Sequence, residues 1–210
     1  MTEITESAMQ QLRDSTREEH HRAEHHEFQQ ALVKGELARD RYEAWLGQMY
    51  LIHGSLEKAL RAATDHSEAI QNVIHDYQYQ VPYLLEDFEF FGIDSSGIEP
   101  LPATQRFASL VEQGKDDPLL LLGLHYVLEG SNNGGRFIAR HVAKAYDLAP
   151  GPGLRYLDPY GDQQREHWMA FKNDMGAVDF TDAETVRLVD AAKQMYRTVA
   201  ELSEDLATTV

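Results

Sequence analysis

Apolar residues recur at spacings of three and four along almost the whole chain. That is the period of a helix with one buried face. The alternation that marks a half-buried strand is almost absent. Helices must therefore bury their stripes against other helices, and the class is all-α, a bundle of roughly seven. Helices are expected over 5–33, 39–64, 68–92 (broken near Pro82), 102–114, 118–147, 160–177 and 181–207. Thr181-Asp182-Ala183-Glu184 reads as a capping box that opens the last of them. Pro102 and Pro118 suit first-turn positions. The stretches around Ser95-Ser96-Gly97 and Ala149-Pro150-Gly151-Pro152-Gly153 are loops. Neither reads as an interdomain linker, so residues 1–210 are taken as a single domain.

Composition narrows the function classes. Hydrophobic residues are 42% and charged residues 26% of the chain, ordinary for a soluble globular protein. No apolar run approaches the ~20 residues of a membrane span. The polar start, MTEITESAMQQ, is not a secretory signal, and a cytoplasmic location is expected. The absence of cysteine excludes disulfides, thiolate-held metals, iron–sulfur clusters and covalently attached haem. With 35 acidic and 19 basic residues the net charge is −16, which argues against nucleic acid or an anionic membrane as partner. An anionic ligand would need the few basic residues gathered at its site. Nothing demands more than a monomer.

Two segments carry chemistry. In the first helix Met9, Leu12, Thr16, His20 and Ala23 form one stripe. Of the four histidines crowded there, only His20 lies on it. His21 is off by about 100°, His25 by about 140° and His26 by about 120°. The off-stripe histidines are expected to face solvent. Glu24, one turn beyond His20, can accept from one ring nitrogen. That fixes the tautomer and makes the other nitrogen a better metal donor. A satisfied buried histidine would look the same in sequence.

The second segment is Glu129-Gly130-Ser131-Asn132-Asn133-Gly134-Gly135, inside a strongly apolar helix. Each interior glycine costs about 1 kcal/mol relative to alanine. Gly130 and Gly134 share a face, which bares the backbone there. Either a flat ligand approaches that face, or a second helix packs closely on it.

LRDSTREEHHRAE (Leu12 to Glu24) and YVLEGSNNGGRFIA (Tyr126 to Ala139) together resemble the haem oxygenase family, in a match that covers most of the chain. The resemblance implies a haem oxygenase-like helical fold. It implies His20 as the proximal haem iron ligand, with Glu24 hydrogen-bonded to it. It implies a distal helix in which Gly130, Ser131, Gly134 and Gly135 lie over the opposite haem face. Arg13, Arg17 and Lys172 match positions that meet the haem propionates, which would resolve the problem that a net charge of −16 poses for a dianionic ligand. The implied reaction is oxidative cleavage of haem by O2 to biliverdin, carbon monoxide and ferrous iron. Its electrons come from an external reductase or ferredoxin-type donor.

One position departs from the pattern. Ser131 stands where the better-known animal-type and cyanobacterial-type members carry an aspartate. The EGSNNGG stretch is similar to a bacterial subgroup in which backbone groups and ordered water replace it. Two other readings remain open. One is a haem carrier or sensor that leaves its ligand intact. The other is a nonhaem di-iron oxidase, for which only one Glu-x-x-His pair exists, Glu18 with His21, off the apolar stripe.

Overall fold

The computed structural model describes residues 7–208. The sequence readings of residues 1–6 lie outside that range. Among the described residues there are ten α-helices and no strand. They are α1 (Ala8–Ser15), α2 (Arg17–Glu24), α3 (Glu27–Lys34), α4 (Arg39–Ala63), α5 (Glu68–Val73), α6 (Val81–Phe91), α7 (Pro102–Gln113), α8 (Pro118–Tyr146), α9 (Gln164–Ala177) and α10 (Asp182–Thr208).

The first expected helix is in fact three. The Ser7 hydroxyl caps α1, accepting from the Gln10 amide at 3.3 Å. At Thr16 the backbone leaves the helical region (φ −103°, ψ 3°). The Thr16 hydroxyl donates back to the Leu12 carbonyl at 2.7 Å. A second break falls at His25 and His26. His26 is extended, and its Nδ1 accepts from the Phe28 amide at 3.2 Å, which starts α3. The apolar period runs through both breaks because each short helix turns the same face inward: Leu12, Thr16, Ala23, Phe28 and Leu32 are all buried.

The 68–92 helix breaks earlier than expected. α5 ends at Val73, a 3-10 turn occupies Asp76–Gln78, and Pro82 sits in the first turn of α6. The capping box at Thr181 forms as read: the Thr181 amide donates to Glu184 Oε2 at 2.8 Å and the Glu184 amide to Thr181 Oγ1 at 3.3 Å. Asp117 caps α8, accepting from the Leu119 and Leu120 amides.

α8 and α10 form the spine of the bundle. They cross at Gly123, where a Cβ would lie 2.5 Å from both the Ala191 Cβ and the Leu188 carbonyl oxygen. α2 packs on α10, α3 on both α8 and α10, and α1 on α9 and α10. The segment 148–160 crosses the outside of α8. It is pinned by Asp87, which accepts from the Arg155 and Tyr156 amides at 2.8 and 2.9 Å.

Candidate functional site

α2 presents His20. The side chain is 49% exposed, so it is not a core histidine. Its Nε2 lies 3.0 Å from Glu24 Oε1. Glu24 thus engages one ring nitrogen, and Nδ1 is the other. The Tyr196 ring of α10 flanks the imidazole, with centroids 5.3 Å apart. His21 and His25 are exposed and stack on each other at 3.8 Å. His26 departs from the expectation: it is half-buried, and its Nε2 lies 3.1 Å from Glu204 Oε2 of α10. His26 is the extended residue that caps α3, so a straight-helix angle does not describe where its side chain points.

Arg13 and Arg17 project from α1 and α2, both well exposed, and both reach Asp14 Oδ1, at 3.1 and 2.9 Å. The two guanidiniums hold the Asp14 carboxyl below the usual carboxylate range. Exposed pairs of this kind hold weakly. Both arginines can therefore turn to a stronger anion without unfolding anything. Lys172 is half-buried on α9.

The three glycines of the 129–135 stretch of α8 separate into two kinds. A Cβ on Gly134 would meet nothing within 4 Å, and one on Gly130 would meet only the tip of the Trp168 ring, at an ordinary 3.5 Å. The packing of the chain on itself therefore requires neither glycine. Gly135 is different. A Cβ there would collide with the Leu157 carbonyl oxygen. Gly135 serves the fold by admitting the 148–160 segment, while Gly130 and Gly134 leave one face of the helix bare. Close helix–helix packing, the alternative explanation for Gly130 and Gly134, applies to neither, and Gly135 packs on a loop.

The residues between the glycines present no free acid. The Ser131 hydroxyl donates to the Leu128 carbonyl at 2.6 Å. The Asn133 amide donates to the Gly130 carbonyl at 2.9 Å. Asn132 is buried and donates to Glu129 Oε2 at 3.3 Å.

Glu129 belongs to a buried polar network that the sequence reading missed. Tyr160 donates to Glu129 Oε2 at 2.8 Å, and Gln80 Nε2 donates to the Tyr160 hydroxyl at 3.2 Å. The Gln80 and Val81 amides donate to Glu57 Oε1 at 2.6 and 3.1 Å. Glu57 lies 3.6 Å from His53 Nδ1, and His53 Nε2 is 3.0 Å from the Tyr156 hydroxyl. Burial raises the Glu129 carboxyl to about 7, against the opposing pull of its bonds to Tyr160 and Asn132. Burial, with the nearby His53, lowers His125 to about 3, so it is neutral. A signal was present: His-x-x-x-Glu occurs twice inside apolar helical runs, at 53–57 and 125–129.

Among the described residues no group of three or more histidines or carboxylates is arranged to hold a metal ion. Glu18 and His21, the pair considered for a di-iron centre, are both exposed. No helix of the described residues is long and apolar enough to cross a membrane.

A family model described as Heme oxygenase matches residues 6–205. Human heme oxygenase 1 is 26% identical over 201 residues, spanning 93% of this chain and 70% of its own length. A crystal structure of heme oxygenase-2 from Synechocystis, in complex with heme and NO, is similar with a TM-score of 0.88 at 22% identity, over 96% of this chain and 85% of that one. The heme oxygenase of Leptospira interrogans gives a TM-score of 0.87 at 24% identity, over 94% of this chain and 98% of that one. At such identities the two structures establish a common fold.

Proposed function

Because the chain belongs to the haem oxygenase family, we propose that it binds haem noncovalently and cleaves it to biliverdin, carbon monoxide and ferrous iron. Haem is the substrate here, and its iron is where O2 and the electrons of an external donor meet. A reductase or a ferredoxin-type protein is the expected donor. The reading places the protein in the cytoplasm, acting as a monomer.

The observation that carries this reading is the bare face of Gly130 and Gly134. Two helix-weakening residues stand where no protein atom needs them. A flat ligand supplies the missing reason, since only backbone lets a planar ring approach the helix axis closely. His20 supplies the donor: a half-exposed imidazole with Glu24 on one nitrogen and the other available. A neutral nitrogen ligand suits an iron that must bind O2, and the chain has no cysteine to offer a thiolate instead.

The roles of the chain follow from these positions. His20 ligates and Glu24 orients it. Gly130 and Gly134 admit the ring and confine what binds on the far side of it. Gly135 holds the helix to the 148–160 segment and so fixes where that face lies. Arg13, Arg17 and Lys172 meet the propionates. Ser131, whose hydroxyl is held by its own helix, contributes through position.

The test is turnover of purified protein loaded with hemin, with a reductant in air and catalase present. The reading expects the Soret band to decay to biliverdin absorbance. A stable Soret band that only shifts to a reduced or oxygen-bound form would overturn it in favour of a carrier or sensor.

A further inference from the structure

The face of α8 that carries Gly130 and Gly134 is not equally open along its length. A Cβ on Gly134 would meet nothing within 4 Å, whereas one on Gly130 would meet Cη2 and Cζ3 of Trp168 at 3.5 and 3.8 Å. The outer edge of the indole therefore stands against the helix at one end of the face. We propose that Trp168 of α9 is a side wall of the haem slot: it fixes how the macrocycle is turned in its own plane, and so which carbon bridge of the ring lies at the open Gly134 end. The inference deepens the functional reading above and rests on it.

The wall is held in place. The Trp168 ring stacks on Phe171, with centroids 5.6 Å apart and planes at 24°, and Phe171 is fully buried. Tyr126 is buried on α8 one turn before Gly130, and its ring centroid lies 6.2 Å from that of Trp168. Tyr126, Gly130 and Gly134 follow at steps of four, so they share one side of α8. An indole packed on two buried rings has little room to swing aside.

The wall also joins the two halves of the site. Burial raises the Tyr126 hydroxyl, Arg13 pulls it back down, and Asp14 adds to the rise, so the charges of α1 lie close to it. Burial raises the Tyr196 hydroxyl too, and Tyr126 adds to that rise. The Tyr196 ring flanks His20 at 5.3 Å. Tyr196, Tyr126 and Trp168 are thus successive neighbours from His20 to Gly130. Lys172 follows Trp168 by one turn and shares its side of α9, so one helix carries both the indole and the cation assigned to a propionate.

A single imidazole ligand leaves a planar ring free to turn about the bond that holds it. Arg13 and Arg17 are long and exposed, and pairs of that kind restrain the turn weakly. A packed apolar edge restrains it sharply, because dispersion attraction falls away within about an ångström of contact. The four carbon bridges of the ring are chemically alike, so position decides among them.

The first readout involves no turnover. Hemin is bound to the full chain, cyanide is added, and the ring-methyl resonances in proton NMR count the seatings. The wild type is expected to show one dominant seating. Trp168→Ala is expected to shift the ratio of seatings by about threefold or more, and Trp168→Phe, which keeps a ring on Phe171, by less. A residue that served only the fold would lower the haem-free melt without moving that ratio. If the alanine variant does not fold, the phenylalanine variant carries the test. The second readout is the isomer composition of the biliverdin formed with a reductant in air, expected to follow the seating ratios.

Equal seating ratios in wild type and variants would overturn the proposal. So would a wild type already divided among several seatings. A shift in seating with unchanged isomers would overturn the claim that the wall selects the bridge. Bound hemin that no reductant degrades would instead overturn the functional reading, and the seating ratio would still decide whether Trp168 is the wall. Failure of the wild type to bind hemin would overturn both.

Discussion

No side chain fits between Gly135 and the carbonyl oxygen of Leu157: a Cβ built on the glycine collides with that carbonyl. One residue earlier, Gly134 faces nothing within 4 Å. Adjacent glycines in one helix thus answer to different demands, and substitution separates them. Gly135→Ala forces the 148–160 segment off α8. It should lower the stability of the haem-free protein by about 1–3 kcal/mol. At this chain length that is about 2–4 °C per kcal/mol in a thermal melt. Gly134→Ala should leave the melt unchanged or raise it, by up to about 1 kcal/mol, because alanine is the better helix former. Gly134→Leu should melt normally and bind hemin at least about tenfold more weakly, since its side chain fills the space proposed for the ring.

In the proposed site Glu24 acts on the ligand through His20. Glu24→Gln preserves a hydrogen-bond acceptor but removes the charge that strengthens the imidazole as a donor. Hemin affinity or turnover should fall by roughly 10–100-fold, with the fold intact. A titration indistinguishable from wild type would mean that the 3.0 Å contact is incidental.

Arg13 and Arg17 stand out against a chain of net charge −16. Reversing both, Arg13→Glu with Arg17→Glu, should weaken hemin binding by about tenfold or more at low salt. The difference from wild type should shrink as salt is raised, which equilibrium binding at two ionic strengths would show. A deficit that ignores salt would argue for damage to α1 and α2 rather than lost attraction.

Asp87 makes stability depend on pH. Burial raises its carboxyl from 3.8 to about 6 in the folded protein, despite the backbone amides of Arg155, Tyr156 and Gly153. A folded value above the unfolded one means that the folded state binds the extra proton. The stabilisation is therefore fully present below about pH 4 and is lost as pH rises through about 6. The size is on the order of 3 kcal/mol. Denaturant unfolding of the haem-free protein should show stability falling across this window. Asp87→Asn should flatten that fall, and should also lower stability throughout, because one amide oxygen cannot replace two carboxylate oxygens.

Much of this was legible in the sequence, and the rest had identifiable reasons to be hidden. The helical period marked α4, α7, α8 and α10 to within a few residues, because each is long and keeps one face buried. The breaks at Thr16 and at His25–His26 were invisible because Leu12, Ala23 and Phe28 continue in phase across them. The shared face of Gly130 and Gly134 was readable from their spacing. The separate role of Gly135 was not, because it depends on Leu157, which reaches α8 only through the path of a loop. The Glu129 network draws on residues 53, 57, 80, 129 and 160. Only the paired His-x-x-x-Glu spacings hinted at it.

The measurement that tests the central claim most directly is an optical titration of wild type and His20→Ala with hemin, each repeated with added imidazole. The account predicts a saturable one-to-one Soret band in the wild type. In His20→Ala the band should be weakened and displaced, and free imidazole should restore it by replacing the missing ring. A His20→Ala spectrum and affinity equal to those of the wild type would contradict the assignment of His20 as the iron ligand.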